Sequence, residues 1–124
     1  MSSVALTVVT VPFIRTPLEM RRLELLGQLV VDTARELCPV ETGFLQDSID
    51  YYIEGNTLVV EASADYADFV EYGTVKQDPQ PFLETAIALS EEEIMDTVIA
   101  SEQDALRVTT DLIALNTIIN IINK

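Results

Sequence analysis

The sequence predicts an α+β fold: a long N-terminal helix packed on a small antiparallel β-sheet containing a hairpin, with a helical C-terminal portion. Three observations carry that expectation. Apolar residues recur at helical spacing between Leu23 and Leu37, the period changes to two after Pro39, and helical spacing returns after Pro81. A length of 124 residues and a hydrophobic fraction of 48% suffice for one domain with a core.

Residues Val4 to Ile14 are β-branched and apolar without a clean period, so residues 1–15 read as an extended arm or an edge strand. Pro12 would confine such a strand to an edge. Thr16-Pro17-Leu18-Glu19 is a capping box with Pro at the first helical position, and Leu23, Leu26, Val30, Ala34 and Leu37 form one stripe of the helix it opens. Cys38-Pro39 ends that helix, because the residue before Pro is pushed out of the α region.

Ser48 to Glu54 and Thr57 to Ser63 flank Gly55-Asn56, a loop that suits a type II′ hairpin and fixes the register. Glu54 should face Thr57, Ile53 Leu58, Tyr52 Val59, Tyr51 Val60, Asp50 Glu61, and Ile49 Ala62. Ile49, Tyr51, Ile53, Leu58, Val60 and Ala62 then form a core face. The opposite face carries Asp50, Glu54 and Glu61, with Asp50 and Glu61 a like-charge pair. That face is either a solvated surface or one whose acidity a partner or a channel requires.

Asp65 can cap a short helix bearing Tyr66, Phe69 and Val70 and closed by Gly73. Tyr66, Phe69 and Tyr72 suit either core or an interface, with core the preferred reading for Tyr66 and Phe69. A further helix begins near Pro81 with the stripe Leu83, Ile87, Ile94 and Val98, and a second capping-box pattern at Ser90 marks a break or restart. From Leu106 the residues Val108, Leu112, Leu115, Ile119 and Ile122 repeat at helical offsets and read as a helix, with a strand as the alternative that the β-branched content allows. The domain reading is therefore 1–15 arm or strand, 16–105 a single α+β domain, and 106–124 an apolar assembly segment. Leu112, Leu115, Ile119 and Ile122 are its contact residues.

Charge narrows the function classes. Up to Val40, Arg15, Arg21, Arg22 and Arg35 balance four acids. From Glu41 onward 17 of the 21 acids face only Lys76, Arg107 and Lys124, so that portion carries the whole net charge of −14. Such a surface repels phosphate, and it disfavours nucleic-acid grip and anionic membranes. The start lacks the basic n-region of a signal peptide, and no stretch is long and apolar enough to span a membrane. Cys38 is the single cysteine and there is no histidine, so an intramolecular disulfide, a Cys-His nucleophile and a Ser-His-Asp triad are all excluded. A buried structural thiol is expected. No glycine-rich phosphate loop occurs. The carboxylate groups Glu91-Glu92-Glu93 and Asp65/Asp68/Glu71 lack calcium-loop spacing, and no metal or cofactor is expected.

Three blocks remain. Pro39 to Ile49 reads P-V-E-T-G-F-L-Q-D-S-I, Tyr66 to Thr74 reads Y-A-D-F-V-E-Y-G-T, and Gln80-Pro81-Phe82-Leu83 follows with Ala86 beyond it. In this order and spacing they resemble a family of small tail-component, or tail-completion, proteins from the head-to-tail gene module of tailed bacteriophages. The resemblance covers roughly Leu18 to Ala88. It departs at Thr85, where Pro is usual, and at Gln46, where Arg is common. The family positions are Pro39, Val40, Thr42, Gly43, Leu45, Ser48, Ile49, Tyr66, Ala67, Val70, Glu71, Gly73, Thr74, Pro81, Phe82 and Leu83. Gly43 and Gly73 suit positive φ or a close backbone approach. Glu71 is the candidate for an inter-subunit ion pair, with an exposed carboxylate as the plainer reading.

The resemblance implies a non-enzymatic virion protein, made in the host cytoplasm, that completes the tail or neck and joins tail to head. The implied partners are copies of itself in a ring, expected to be hexameric, and a tail terminator, tail tube or head connector. DNA would pass through the ring without specific binding, and no membrane is involved. Asp50, Glu54 and Glu61 are the candidates for the lumen wall. The alternative is an acidic DNA-mimic inhibitor occupying a basic cleft.

Overall fold

The computed structural model describes residues 2–12, 14, 16–39 and 43–101. Strand β1 (Val4–Thr10) is followed by helix α1 (Pro17–Leu37), a single turn α2 (Phe44–Asp47), the hairpin β2 (Ile49–Glu54) and β3 (Thr57–Ala62), then α3 (Ala67–Tyr72) and α4 (Phe82–Leu89). Residues 91–101 are helical as well. The architecture is α+β, as the periodicities indicate. The apolar segment 106–124, with Leu112, Leu115, Ile119 and Ile122, lies outside the described residues.

Helix α1 starts where its capping box dictates. The Glu19 amide donates to Thr16 Oγ1 at 3.3 Å, and the Glu19 carboxylate accepts from the Thr16 amide at 3.1 Å. Two otherwise orphaned amides are thereby satisfied. Leu23, Leu26, Val30 and Ala34 are buried as the stripe requires, but Leu37 is 41% exposed. Cys38, one residue on, turns into the core in its place as the chain leaves the helix. Burial in these apolar surroundings pushes the Cys38 thiol up to about 11, which makes it the inert structural thiol expected of a lone cysteine.

The sheet order is β1-β3-β2, antiparallel throughout, and the β2–β3 register matches all six residue pairs read from the Gly55-Asn56 loop. Ile49, Leu58, Val60 and Ala62 are fully buried, and Tyr51 and Ile53 pack against the same core. β1 is an edge strand. Its register against β3 shifts between Thr7 and Val9, and this bulge erases the alternation that a regular strand would show in sequence.

α1 crosses the inner face of this sheet and also packs on α4. Gly27 makes that approach possible: a Cβ there would lie 2.6 Å from Tyr51 Cδ2 and 3.0 Å from Leu58 Cδ1. Near the other end of α1, the 91–101 helix returns alongside it. Glu93 and Thr97 share a groove with Leu25 and Leu29, while Thr97 and Ser101 line a small cleft with Val11, Glu19 and Arg22.

Candidate functional site

The first motif block is a connector that turns a helix into a strand. Gly43 sits at φ 79°, a left-handed conformation that starts α2, and Leu45 drops into the core. Gln46 donates through Nε2 to the Arg35 carbonyl at 3.0 Å, satisfying the last turn of α1, and the Arg35 guanidinium donates to the Ile49 carbonyl at 3.0 Å. Ser48 Oγ donates to the Leu45 carbonyl at 2.7 Å. The turn α2 is too short to have a sequence period of its own. Val40 and Thr42 lie outside the described residues.

The second block forms α3. Its N-cap is Tyr66, with no side-chain cap, so Asp65 does not play the capping role its residue type suggests. The Asp68 carboxylate instead accepts from the Ser2 amide at 2.9 Å, and the Asp68 amide donates to the Ser2 carbonyl at 3.1 Å. This clasps the start of the chain to α3, and the Ser2 hydrogen bond holds the Asp68 carboxyl below its ordinary pKa. Ala67 is buried and Val70 packs against the core. Phe69 is exposed, contrary to the core reading, and Tyr66 is only half-buried. α3 is six residues long and has a single inward face, which Ala67, Val70 and Glu71 occupy.

Glu71 departs furthest from expectation. It is neither an exposed carboxylate nor an available ion-pair partner, for only 1% of it is exposed. Its two oxygens accept from the Leu83 amide at 2.7 Å and the Glu84 amide at 3.5 Å, the opening amides of α4. The physical reason lies in the third block. α4 begins after Pro81, which has no side-chain acceptor, so its first amides need a cap from elsewhere in the chain. Burial raises the Glu71 pKa, opposed by the hydrogen bonds from Leu83 and Glu84, while the nearby Glu84 charge adds to the rise. The signal was available in sequence, since a helix opening on Gln-Pro-Phe-Leu lacks the usual Ser, Thr, Asp or Asn.

Gly73 closes α3 at φ 78°, with its amide donating to the Phe69 carbonyl at 2.9 Å. A Cβ at Gly73 would lie 2.7 Å from the Pro79 nitrogen and 2.9 Å from the Gln77 carbonyl oxygen. The loop beyond is correspondingly fixed. Thr74 and Gln77 form an antiparallel bridge, with amide-to-carbonyl distances of 2.8 and 3.3 Å, and the Gln80 amide donates to the Val70 carbonyl at 2.7 Å.

These constructions bring all three blocks to one end of the molecule. Pro39, Gly43 and Leu45 from the first, Tyr66 and Val70 from the second, and Gln80 from the third line a groove of about 350 Å³ together with Gln77. Phe44 stacks on Tyr66 at its edge, with ring centroids 6.2 Å apart, and Phe44, Phe69 and Tyr72 are all exposed. The groove is bordered by the Phe44–Tyr66 pair and lined by both apolar and polar side chains, a mixture that suits protein contact. Among the described residues no group of three or more His, Cys, Asp or Glu could hold a metal ion. The lumen candidates stand apart from the groove, on the outer face of the sheet: Asp50 and Glu54 are exposed and Glu61 half-buried. Val59, on the same face, is shielded between its partners Tyr52 and Thr7.

Residues 20–73 match a family model described as "Bacteriophage HK97-gp10, putative tail-component". This segment is similar to a phage tail component. The match runs from the first turn of α1 to the glycine that closes α3, so it contains the first block, the second as far as Gly73 and the buried Glu71, while Thr74 and the Gln80–Leu83 block lie beyond it. It falls within the span over which the motif blocks resemble the tail-completion family. No curated protein and no solved structure matches the chain. Among the described residues no helix is long and apolar enough to cross a membrane.

Proposed function

We propose that the protein is a structural component of the virion at the head-to-tail junction, where copies form a ring that completes the tail and leaves a channel for DNA. The observation that supports this reading most strongly is the family match to a tail component over residues 20–73, which supply most of the groove's lining. Closed rings arise from heterologous contacts, in which a patch on one subunit meets a different patch on the next. The groove supplies one such patch, and the segment carrying Leu112, Leu115, Ile119 and Ile122 is proposed as a second assembly element. The mechanism is assembly and electrostatics, without catalysis.

The net charge of −14 suits a channel wall. A negative wall keeps a passing polyanion from adhering, whereas a basic one would hold phosphates through counterion release. Asp50, Glu54 and Glu61 are proposed to face that channel. No observation favours the DNA-mimic alternative.

The test is genetic and ultrastructural. A phage carrying a stop codon early in this gene should accumulate DNA-filled heads and separate tails, seen by negative-stain microscopy, and complementation should restore infectious particles. Normal joined virions lacking the protein would contradict the proposal.

A further inference from the structure

The turn after α3 has features that the motif groove does not use. Val75 is 106% exposed, fully presented to solvent at the tip of the Thr74–Gln77 bridge. The tip is built firmly: the Lys76 amide donates to Thr74 Oγ1 at 3.2 Å, and Gly73 is packed beneath Pro79 and Gln77. Lys76 beside it is the only basic residue between Glu41 and Ser101. It forms no ion pair among the described residues. Within the acidic stretch from Glu41 to Ser101, this rigid turn thus holds out an apolar side chain beside the one cation.

A complementary surface lies on the 91–101 helix. Glu92, Met95, Asp96 and Ile99 share one face by their spacing, Met95 and Ile99 are 51% and 44% exposed, and Glu92 and Asp96 are exposed with them. The two features lie apart along α1, the 91–101 helix running from the middle of α1, where Glu93 and Thr97 meet Leu25 and Leu29, toward its N-terminal end. The turn adjoins the groove beyond the C-terminal end of α1, while Thr97 and Ser101 adjoin Glu19 and Arg22 near its N-terminal end. The stretch of α1 from Leu29 to its C-terminal end alone spans roughly 12 Å at 1.5 Å per residue, so the turn and the face are separated along the helix, and the arrangement suits a head-to-tail contact.

We infer that the Val75–Lys76 turn of one copy docks on the Met95–Ile99 face of the next, with Lys76 between Glu92 and Asp96. The contact rests on the ring reading above and names two of its complementary patches. A small apolar centre with flanking opposite charges gives register and rejects misaligned copies, since displacing Lys76 sets acid against acid.

Full-length Val75→Cys and Met95→Cys variants, mixed and treated with a short bis-maleimide, test it directly, because Cys38 is buried and slow to react. The expected product is a Val75→Cys/Met95→Cys heterodimer. Adding Lys76→Glu to the first variant should cut its yield about tenfold or more, and Asp96→Lys in the second should restore it. Native mass spectrometry of the unaltered protein separates the two claims. Rings without this cross-link, or a cross-link indifferent to both charge reversals, overturn the contact and leave the ring intact. A chain that stays monomeric at every concentration overturns the ring reading and the contact with it.

Discussion

The two ends of α1 are built on opposite principles. At the C-terminal end the chain is fixed by backbone devices: a left-handed glycine before α2, side-chain bonds from Gln46 and Arg35, a second positive-φ glycine under Pro79, and a buried carboxylate capping α4. At the N-terminal end a capping box starts the helix, and Leu18 and Leu25 on it, with Met95 and Ile99 on the 91–101 helix, stand exposed. Family-resembling residues crowd the first end. The comparison shows that the motif blocks record how a groove is constructed, because turns and caps admit few residue types. An apolar surface patch needs only bulk, and leaves no comparable signature.

If that contrast is right, substitutions at the first end should cost much more than those at the second. Gly73→Val should be the most damaging, by about 3–5 kcal/mol, since it adds a β-branched residue at positive φ and overlaps the Pro79 backbone. Gly43→Val, at similar φ but in open space, should cost only the conformational strain, about 1–3 kcal/mol. Chemical denaturation of the two variants side by side measures the difference. Equal losses would mean that the Gly73–Pro79 approach contributes nothing.

Glu71→Ala should cost about 2–4 kcal/mol by leaving the Leu83 amide buried and unpaired, while Glu71→Gln, which keeps one acceptor oxygen, should cost less. The pH dependence follows from the raised pKa of Glu71. In the interval from its unfolded value up to its folded one, the native state binds more of this proton than the unfolded state, so stability falls as pH rises through that window. The Gln variant should lack this component, and its stability should decline less steeply with pH than that of the unaltered chain. Parallel pH profiles for the two would show that the capping carboxylate does not titrate in this way.

Gly27→Ala should cost about 1–3 kcal/mol, because the added methyl meets the Tyr51 ring and α1 must lift from the sheet. At the opposite extreme, Leu25→Ser should change the melting of the isolated domain by less than about 0.5 kcal/mol, since Leu25 is largely exposed. A large loss there would mean that this surface is covered within the monomer.

Much of the fold was legible because it rests on local chemistry. The Thr16 capping box, the stop at Cys38-Pro39 and the hairpin register set by Gly55-Asn56 each depend on a few adjacent residues. What escaped depends on distant ones. The bulge in β1 hides its alternation, Gly27 matters only because Tyr51 lies across from it, and Glu71 is defined by amides that follow it by more than ten residues. Phe69 was misread for a related reason: aromatic character does not say which side of a six-residue helix faces inward. The groove itself joins three blocks separated in the chain, and only their shared destination reveals it.

The role proposed for this protein is that of one copy in a ring at the junction of head and tail. Electron cryomicroscopy of purified virions tests it most directly. The account predicts a closed ring of this fold at the head-proximal end of the tail, with Asp50, Glu54 and Glu61 turned toward the channel. Density for the fold elsewhere on the particle, or its absence from the virion, would contradict it.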